Sequence, residues 1–172
     1  MADLPGQVRS MRPDAATALE EMYAAGNKAT GKTIVTVSGY RSYAKQKKIY
    51  ANKLEKVGKK EKADEYVARP GASEHQLGMA MDVGQRGTGS NLNANFGKTA
   101  SGKWIRENCW QYGFILRYDE GWEDITGYEF EPWHVRYVGK EHAKAMFEQH
   151  IPMETYLKDL RRQKLLAIVD SE

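Results

Sequence analysis

His75 and Asp82 close the two ends of a short apolar segment, HQLGMAMD, within the stretch SEHQLGMAMD. A carboxylate in so greasy a stretch is costly to bury unless hydrogen bonds or a cation neutralise it. Further along, EFEPWHVRY carries Glu131 and His134, and SGYRS carries Arg41. A hydrolytic zinc centre needs about three protein ligands and one open position. Imidazole nitrogen and carboxylate oxygen both suit that ion. His75, Asp82 and His134 would supply a His₂Asp set, leaving Glu131 off the metal. An unligated glutamate there can take a proton from water and later deliver it to a leaving amine. Taken singly, each pair reads more readily as an ordinary structural pair than as part of a metal site. The residues alone therefore leave a metal site and a hydrogen-bond network both open.

The elements that must position these groups follow from pattern. Pro13 ahead of DAATALEEMYAAGNKATG starts a helix, with Ala15, Leu19, Met22 and Tyr23 as its apolar face. The β-branched run from Ile34 to Val37 reads as a buried strand ending at Gly39. SYAKQKKIYANKLEKVG is a second helix, and EKADEYVA adds a short helical piece before the loop RPGAS. GMAMDV is a strand entered from a turn, followed by the glycine- and asparagine-rich loop GQRGTGSNLNANFGK. KWIRENCWQYG reads as a helix ending at Gly113, FILRY as a strand, and EGWEDITGYEFEP as a long connection or hairpin. WHVRYVG is a strand, GKEHAKAMFEQH a helix, and METYLKDLRRQKLLAIVDSE a last helical stretch. The order predicts an α+β fold with a small central antiparallel sheet flanked by helices.

Pro132 constrains the site. It holds Glu131 extended and aims its carboxylate in a fixed direction. Glu131 and His134 are an odd step apart, so an unbent strand would set them on opposite faces. A bend is needed to bring both to one place, and Pro132 marks it. Gly78 and Ala80 are small enough for backbone and substrate to approach closely, although Gly78 reads equally well as a turn glycine.

Composition narrows the classes. The 172 residues suit one domain, with 41% hydrophobic and 28% charged residues typical of a globular chain. The net charge of +3 is too weak to identify an anionic partner. The lysine-rich stretch from Ala44 to Tyr66 reads as a solvated helical face, and no nucleic-acid motif is present. Cys109 is the single cysteine, which excludes an intrachain disulfide and a cysteine zinc site and predicts a core position. No apolar run is long enough to span a membrane. No export signal is visible in MADLPGQVRSMRP, so the start is either native or follows a removed signal or anchor.

Together, SGYRSYAKQ, SEHQLGMAMDV and EPWHVRYVG resemble, in order, the signature segments of VanY-type D-alanyl-D-alanine carboxypeptidases. These zinc peptidases share their fold with lysostaphin and the hedgehog signalling domain. The resemblance runs from about residue 37 to 139, with a helical segment at 140–172, and implies one zinc carboxypeptidase domain over 1–172. It implies zinc ligands at His75, Asp82 and His134, a catalytic base at Glu131, and a substrate- and charge-stabilising arginine at Arg41. Gln46 and Ser73 match polar pocket residues, Tyr118 matches a pocket tyrosine, and Trp133 is expected as a pocket wall or support. The implied cofactor is Zn²⁺ and the implied substrate a peptidoglycan stem peptide or precursor ending in D-alanine. The implied location is extracytoplasmic, in the cell envelope, with a link to glycopeptide resistance or wall remodelling and a monomer as the default. An L,D-carboxypeptidase, a peptidoglycan endopeptidase or a non-catalytic zinc-stabilised binding module would use the same scaffold.

Overall fold

In the computed structural model, which describes residues 10–88 and 92–169, helix α1 (Pro13–Thr30) comes first. Pro13 stands in its first turn, where no intrahelical N–H bond is lost, and Gly31 closes it in the left-handed region. Strand β1 (Ile34–Ser38), helix α2 (Tyr43–Val57) and the short helix α3 (Lys60–Asp64) follow. A 3₁₀ turn over Glu74–Leu77 leads into β2 (Ala80–Gln85). Beyond it lie a 3₁₀ turn at Ala94–Lys98, helix α4 (Ala100–Asn108), strand β3 (Phe114–Leu116) and the one-turn helix α5 (Glu123–Thr126). Strand β4 (His134–Tyr137) and helices α6 (Lys140–Gln149) and α7 (Met153–Val169) complete the order.

The strands form one antiparallel sheet in the order β1-β2-β4-β3, which is the α+β arrangement expected. β2 is buried along its whole length, as a central strand with both faces covered must be. Its odd and even positions do different work. Met81 and Val83 join Leu19, Met22, Ile34, Ile105, Phe114 and Val135 in the main core, where α1 and α4 pack on the sheet. Fully burying a side chain such as Met22 or Phe114 contributes about 1.5–3 kcal/mol. Asp82 lies on the other face. A smaller cluster of Ile115, Ala143 and Met146 holds α6 in place.

Several boundaries differ from the sequence reading. α4 starts at Ala100, ahead of the expected Lys103, because the Thr99 hydroxyl accepts from the Gly102 N–H at 3.0 Å and caps the helix. Gly102 also lets this helix sit directly on the preceding turn, since a Cβ there would lie 2.1 Å from the Phe96 carbonyl oxygen. The expected run to Gly113 changes at Cys109 into a 3₁₀ turn, with Gly113 closing it at φ 82°. EGWEDITGYEFEP is a connection containing α5 and no hairpin. The loop after β2 contains a 3₁₀ turn, and its positions 89–91 lie outside the described residues, as do 170–172 at the end of the C-terminal stretch. Gly78 is a turn glycine at φ 67° that faces Arg12 of the N-terminal segment, and Ala80 is buried in the sheet. Both are buried, which favours the turn reading of Gly78 over a surface that a substrate backbone would meet.

Candidate metal centre

Asp82 is the hub, and the sheet itself puts it there. It pairs directly with His134 across β4 and with Ser38 across β1. Directly paired residues on adjacent strands project to the same face. The second pairing depends on a β-bulge between Thr36 and Ser38, without which Val37 would oppose Asp82. His134 is the first residue of β4, one later than the sequence suggested. Ahead of it the chain turns, with the His134 N–H donating to the Glu131 carbonyl at 3.0 Å across Pro132. This is the bend the odd spacing demanded. Glu131 is anchored in turn by its own N–H, which donates to the Tyr118 carbonyl at 3.0 Å.

His75 comes from the 3₁₀ turn before β2. Its Nδ1 lies 2.7 Å from the Gly39 carbonyl oxygen, which can only accept, so Nδ1 carries the proton. Burial holds this imidazole below its ordinary pKa and keeps it neutral, which leaves the Nε2 lone pair 3.3 Å from Asp82 Oδ1. The Arg41 N–H donates to the His75 carbonyl at 3.1 Å, so the two segments are laced together. His134 places Nδ1 3.1 Å from the same Oδ1. The second Asp82 oxygen, Oδ2, accepts from Arg41 Nη2 at 2.6 Å, while Arg41 Nε donates to Ser38 Oγ at 3.0 Å.

His75 Nε2, His134 Nδ1 and Asp82 Oδ1 therefore converge, all three from buried side chains and mutually within 4.8 Å. Zinc bonds of about 2.0–2.1 Å in tetrahedral geometry set donors roughly 3.3 Å apart. The 3.1 and 3.3 Å separations here match that edge length. The donor set fits a zinc-like cation. The ionisation states fit too. Burial would raise the Asp82 carboxyl, but His75 and His134 outweigh it and hold it well below the usual range. Burial would lower His134, but its hydrogen bonds to Asp82 and Glu74 push it up to about 9. In the absence of a cation a proton thus occupies the imidazole that faces the carboxylate.

Glu131 stands just off this set, its Oε2 3.8 Å from His134 Nδ1. Burial pushes its carboxyl up to about 7, which suits a group that must both take and return a proton near neutrality. A cleft of about 370 Å³ opens over the cluster. Arg41, Gln46, Ser73, Tyr118, Glu131 and Trp133 all line it. The Gln46 amide nitrogen donates to the Ala68 carbonyl at 2.7 Å, whereas its oxygen is buried with no partner. The Tyr118 ring lies 5.0 Å from that of His134. Trp133 lines the cleft and also packs on the core, the competing reading of this residue.

Sequence reasoning missed Glu74, whose Oε2 lies 3.4 Å from His134 Nε2, and the arginines that hold it, Arg117 and Arg136. A carboxylate adjacent to a candidate ligand, in an otherwise apolar turn, was the available signal. It also missed Ser38 and the Gly39 carbonyl, because the bulge that aims them leaves no mark on composition.

Comparison with known proteins gives one consistent picture. The family profile described as VanY, D-alanyl-D-alanine carboxypeptidase, matches residues 8–140. The Bacillus subtilis (strain 168) protein YodJ is 48% identical over 156 residues, covering 91% of this chain and 56% of its own length. The solved LdcB LD-carboxypeptidase, described with its peptidoglycan recognition, is 48% identical at a TM-score of 0.84 and covers 91% of this chain and 72% of that one. A vancomycin-resistance D,D-pentapeptidase VanY variant in complex with Zn(II) is 34% identical at a TM-score of 0.78, over 90% and 88%. This chain spans between 38% and 70% of the length of the curated relatives it matches.

Proposed function

The chain belongs to the VanY family of D-alanyl-D-alanine carboxypeptidases, and from that membership we propose that it is a zinc-dependent carboxypeptidase trimming peptidoglycan stem peptides. The observation that carries this reading is the convergence of three donor atoms from buried side chains beside a half-buried Glu131 in an open cleft. His75, Asp82 and His134 hold the metal in this reading, and the whole chain acts as one catalytic domain. When bound, zinc supplies Lewis-acid polarisation and a positive charge at the scissile group.

The protein's own residues do the rest. Glu131 takes the proton of the attacking water and returns it to the leaving amine, a shuttle that its raised pKa favours. Arg41 is tethered through Nε and one Nη, so its guanidinium is held at the cleft with a fixed orientation. A guanidinium meets a free carboxylate or a developing oxyanion by forked, charge-assisted hydrogen bonds. The unpartnered Gln46 oxygen accepts from a substrate amide, which relieves a buried polar atom. Ser73, Tyr118 and Trp133 line the cleft and set its shape.

The substrate is a stem peptide or precursor ending in D-alanine. The site of action is outside the cytoplasmic membrane, where cross-linked wall lies, with the protein acting as a monomer. Shortening pentapeptide ends would bear on glycopeptide resistance or wall remodelling. No described helix is long and apolar enough to cross a membrane.

One specific observation favours a second reading, removal of D-alanine from tetrapeptides by L,D-cleavage. LdcB matches at 48% identity, against 34% for the VanY variant. Incubation with pentapeptide, tetrapeptide and cross-linked muropeptides, followed by mass analysis, separates the readings. Chelator-sensitive loss of one alanine from the pentapeptide supports D,D-cleavage, and loss from the tetrapeptide supports L,D-cleavage. Cut cross-links would make it an endopeptidase. No release from protein carrying one zinc per chain would make it a binding module.

A further inference from the structure

We infer that Glu74 is a positioning residue for His134, and that helix α7 braces it through Arg117. The two nitrogens of His134 face two different carboxylates, both at the cleft: Nδ1 lies 3.1 Å from Asp82 Oδ1, and Nε2 lies 3.4 Å from Glu74 Oε2 at the other edge of the ring. With Nδ1 directed at a cation, Nε2 must carry the ring proton, and Glu74 is the acceptor placed to receive it. His75 solves the same problem differently, with the Gly39 carbonyl as its outer acceptor. A carboxylate acceptor makes an imidazole a stronger donor to a metal than a carbonyl does.

Glu74 is itself held from behind. Its Oε1 accepts from Arg117 Nε at 2.8 Å and lies 3.2 Å from Arg136 Nη1. The side chains of all three are 13% exposed or less, so this is a buried ionic cluster whose members need one another. Arg117 then grips Glu154, in the first turn of α7, with both terminal nitrogens, Nη1 to Oε2 at 3.0 Å and Nη2 to Oε1. With His134 neutral, as a metal ligand must be, the chain His134–Glu74–Arg117–Glu154 balances its formal charges only when Arg136 is counted with it. Removing Glu74 would leave two guanidinium groups near the far edge of a ligand that must face a cation.

The inference rests on the zinc reading above, and its test uses zinc binding and not turnover. Metal-free wild-type protein, Glu74→Gln and Glu154→Ala are titrated with Zn²⁺ against a chromophoric chelator. The Co²⁺-loaded forms are compared by visible absorption. Glu74→Gln is expected to bind zinc about 10–100-fold more weakly and to shift the cobalt bands. Glu154→Ala is expected to weaken binding by a smaller factor and to add nothing in combination with Glu74→Gln. Wild-type affinity and an unchanged cobalt spectrum in Glu74→Gln would overturn the role of Glu74. Wild-type affinity in Glu154→Ala alone would overturn the brace. If Glu74→Gln does not fold, the ¹⁵N-resolved spectrum of zinc-loaded wild type decides. A low-field, slowly exchanging His134 Nε2–H supports the inference, and its absence overturns it. Wild-type protein that takes up no zinc would instead overturn the metal reading itself.

Discussion

Replacing Glu131 by glutamine should make the metal-free protein more stable while nearly abolishing turnover. The Glu131 carboxyl is pushed from its ordinary 4.5 up to about 7 by burial. Each pH unit of such a gap corresponds to about 1.4 kcal/mol, so the ionised form costs the fold about 3 kcal/mol. The sign follows from linkage. The folded state binds this proton more tightly than the unfolded chain, so the penalty is absent well below pH 4.5. It grows as pH rises and is complete above about pH 7. A neutral glutamine of the same shape escapes it. For a chain of this size about 3 kcal/mol corresponds to roughly 6–12 °C in Tm. Thermal melts of chelator-treated wild-type and Glu131→Gln proteins at pH 4, 6 and 8 should diverge progressively, with the variant higher at pH 8 and little different at pH 4. A variant equal to or below wild type at pH 8, or an offset independent of pH, would refute the reasoning. The zinc-loaded variant should keep one metal per chain yet lose at least about 100-fold in kcat, the scale of a general base. Alanine release at the wild-type rate would remove Glu131 from that role.

Three further outcomes are open to direct measurement. Arg41→Ala should keep bound zinc but lose most activity on peptides with a free C-terminus, and unchanged kinetics on such peptides would refute its assignment. Zinc uptake at pH 8 should release about one proton per ion, because His134 sits at about 9 without metal, and the apparent affinity should climb with pH toward that value. Calorimetry in two buffers of different protonation enthalpy reads this, and a heat independent of buffer would contradict it. Gly102→Ala should lower Tm by several degrees, since its Cβ would overlap the Phe96 carbonyl 2.1 Å away; a wild-type melting curve would show that α4 can shift.

The candidate ligand set was legible because it depends on residue type more than on geometry. Few arrangements other than a cation site or a hydrogen-bond network accommodate His75, Asp82 and His134 in apolar surroundings, and the Pro132 bend could be deduced from the parity of a spacing. The helices were legible in the same way, from the face of Leu19 and Met22 and from the capping Gly31. Glu74 was not, because its meaning comes from Arg117 and Arg136, more than 40 residues away in sequence and joined to it only by the pairing of the sheet. α4 was misplaced at its start because Gly102 weakens a helical pattern while the packing on Phe96 demands a glycine.

The β-bulge at Thr36 to Ser38 divides β1 into two lengths with separate allegiances. Ile34 to Thr36 keep step with the core through Gln85, Gly84 and Val83, whereas Ser38 keeps step with Asp82. A spare residue between them works like the slack in a hinge pin. The segment that carries Gly39 and Arg41 can then be retuned by a residue's length without dragging Ile34 out of the interior. Removing Val37 would take up that slack and leave Ser38 opposite Asp82 in a regular ladder, at the cost of the local bend the bulge provides. The placement of the Arg41 guanidinium, which rests on Ser38, is in this way insulated from the packing of the interior.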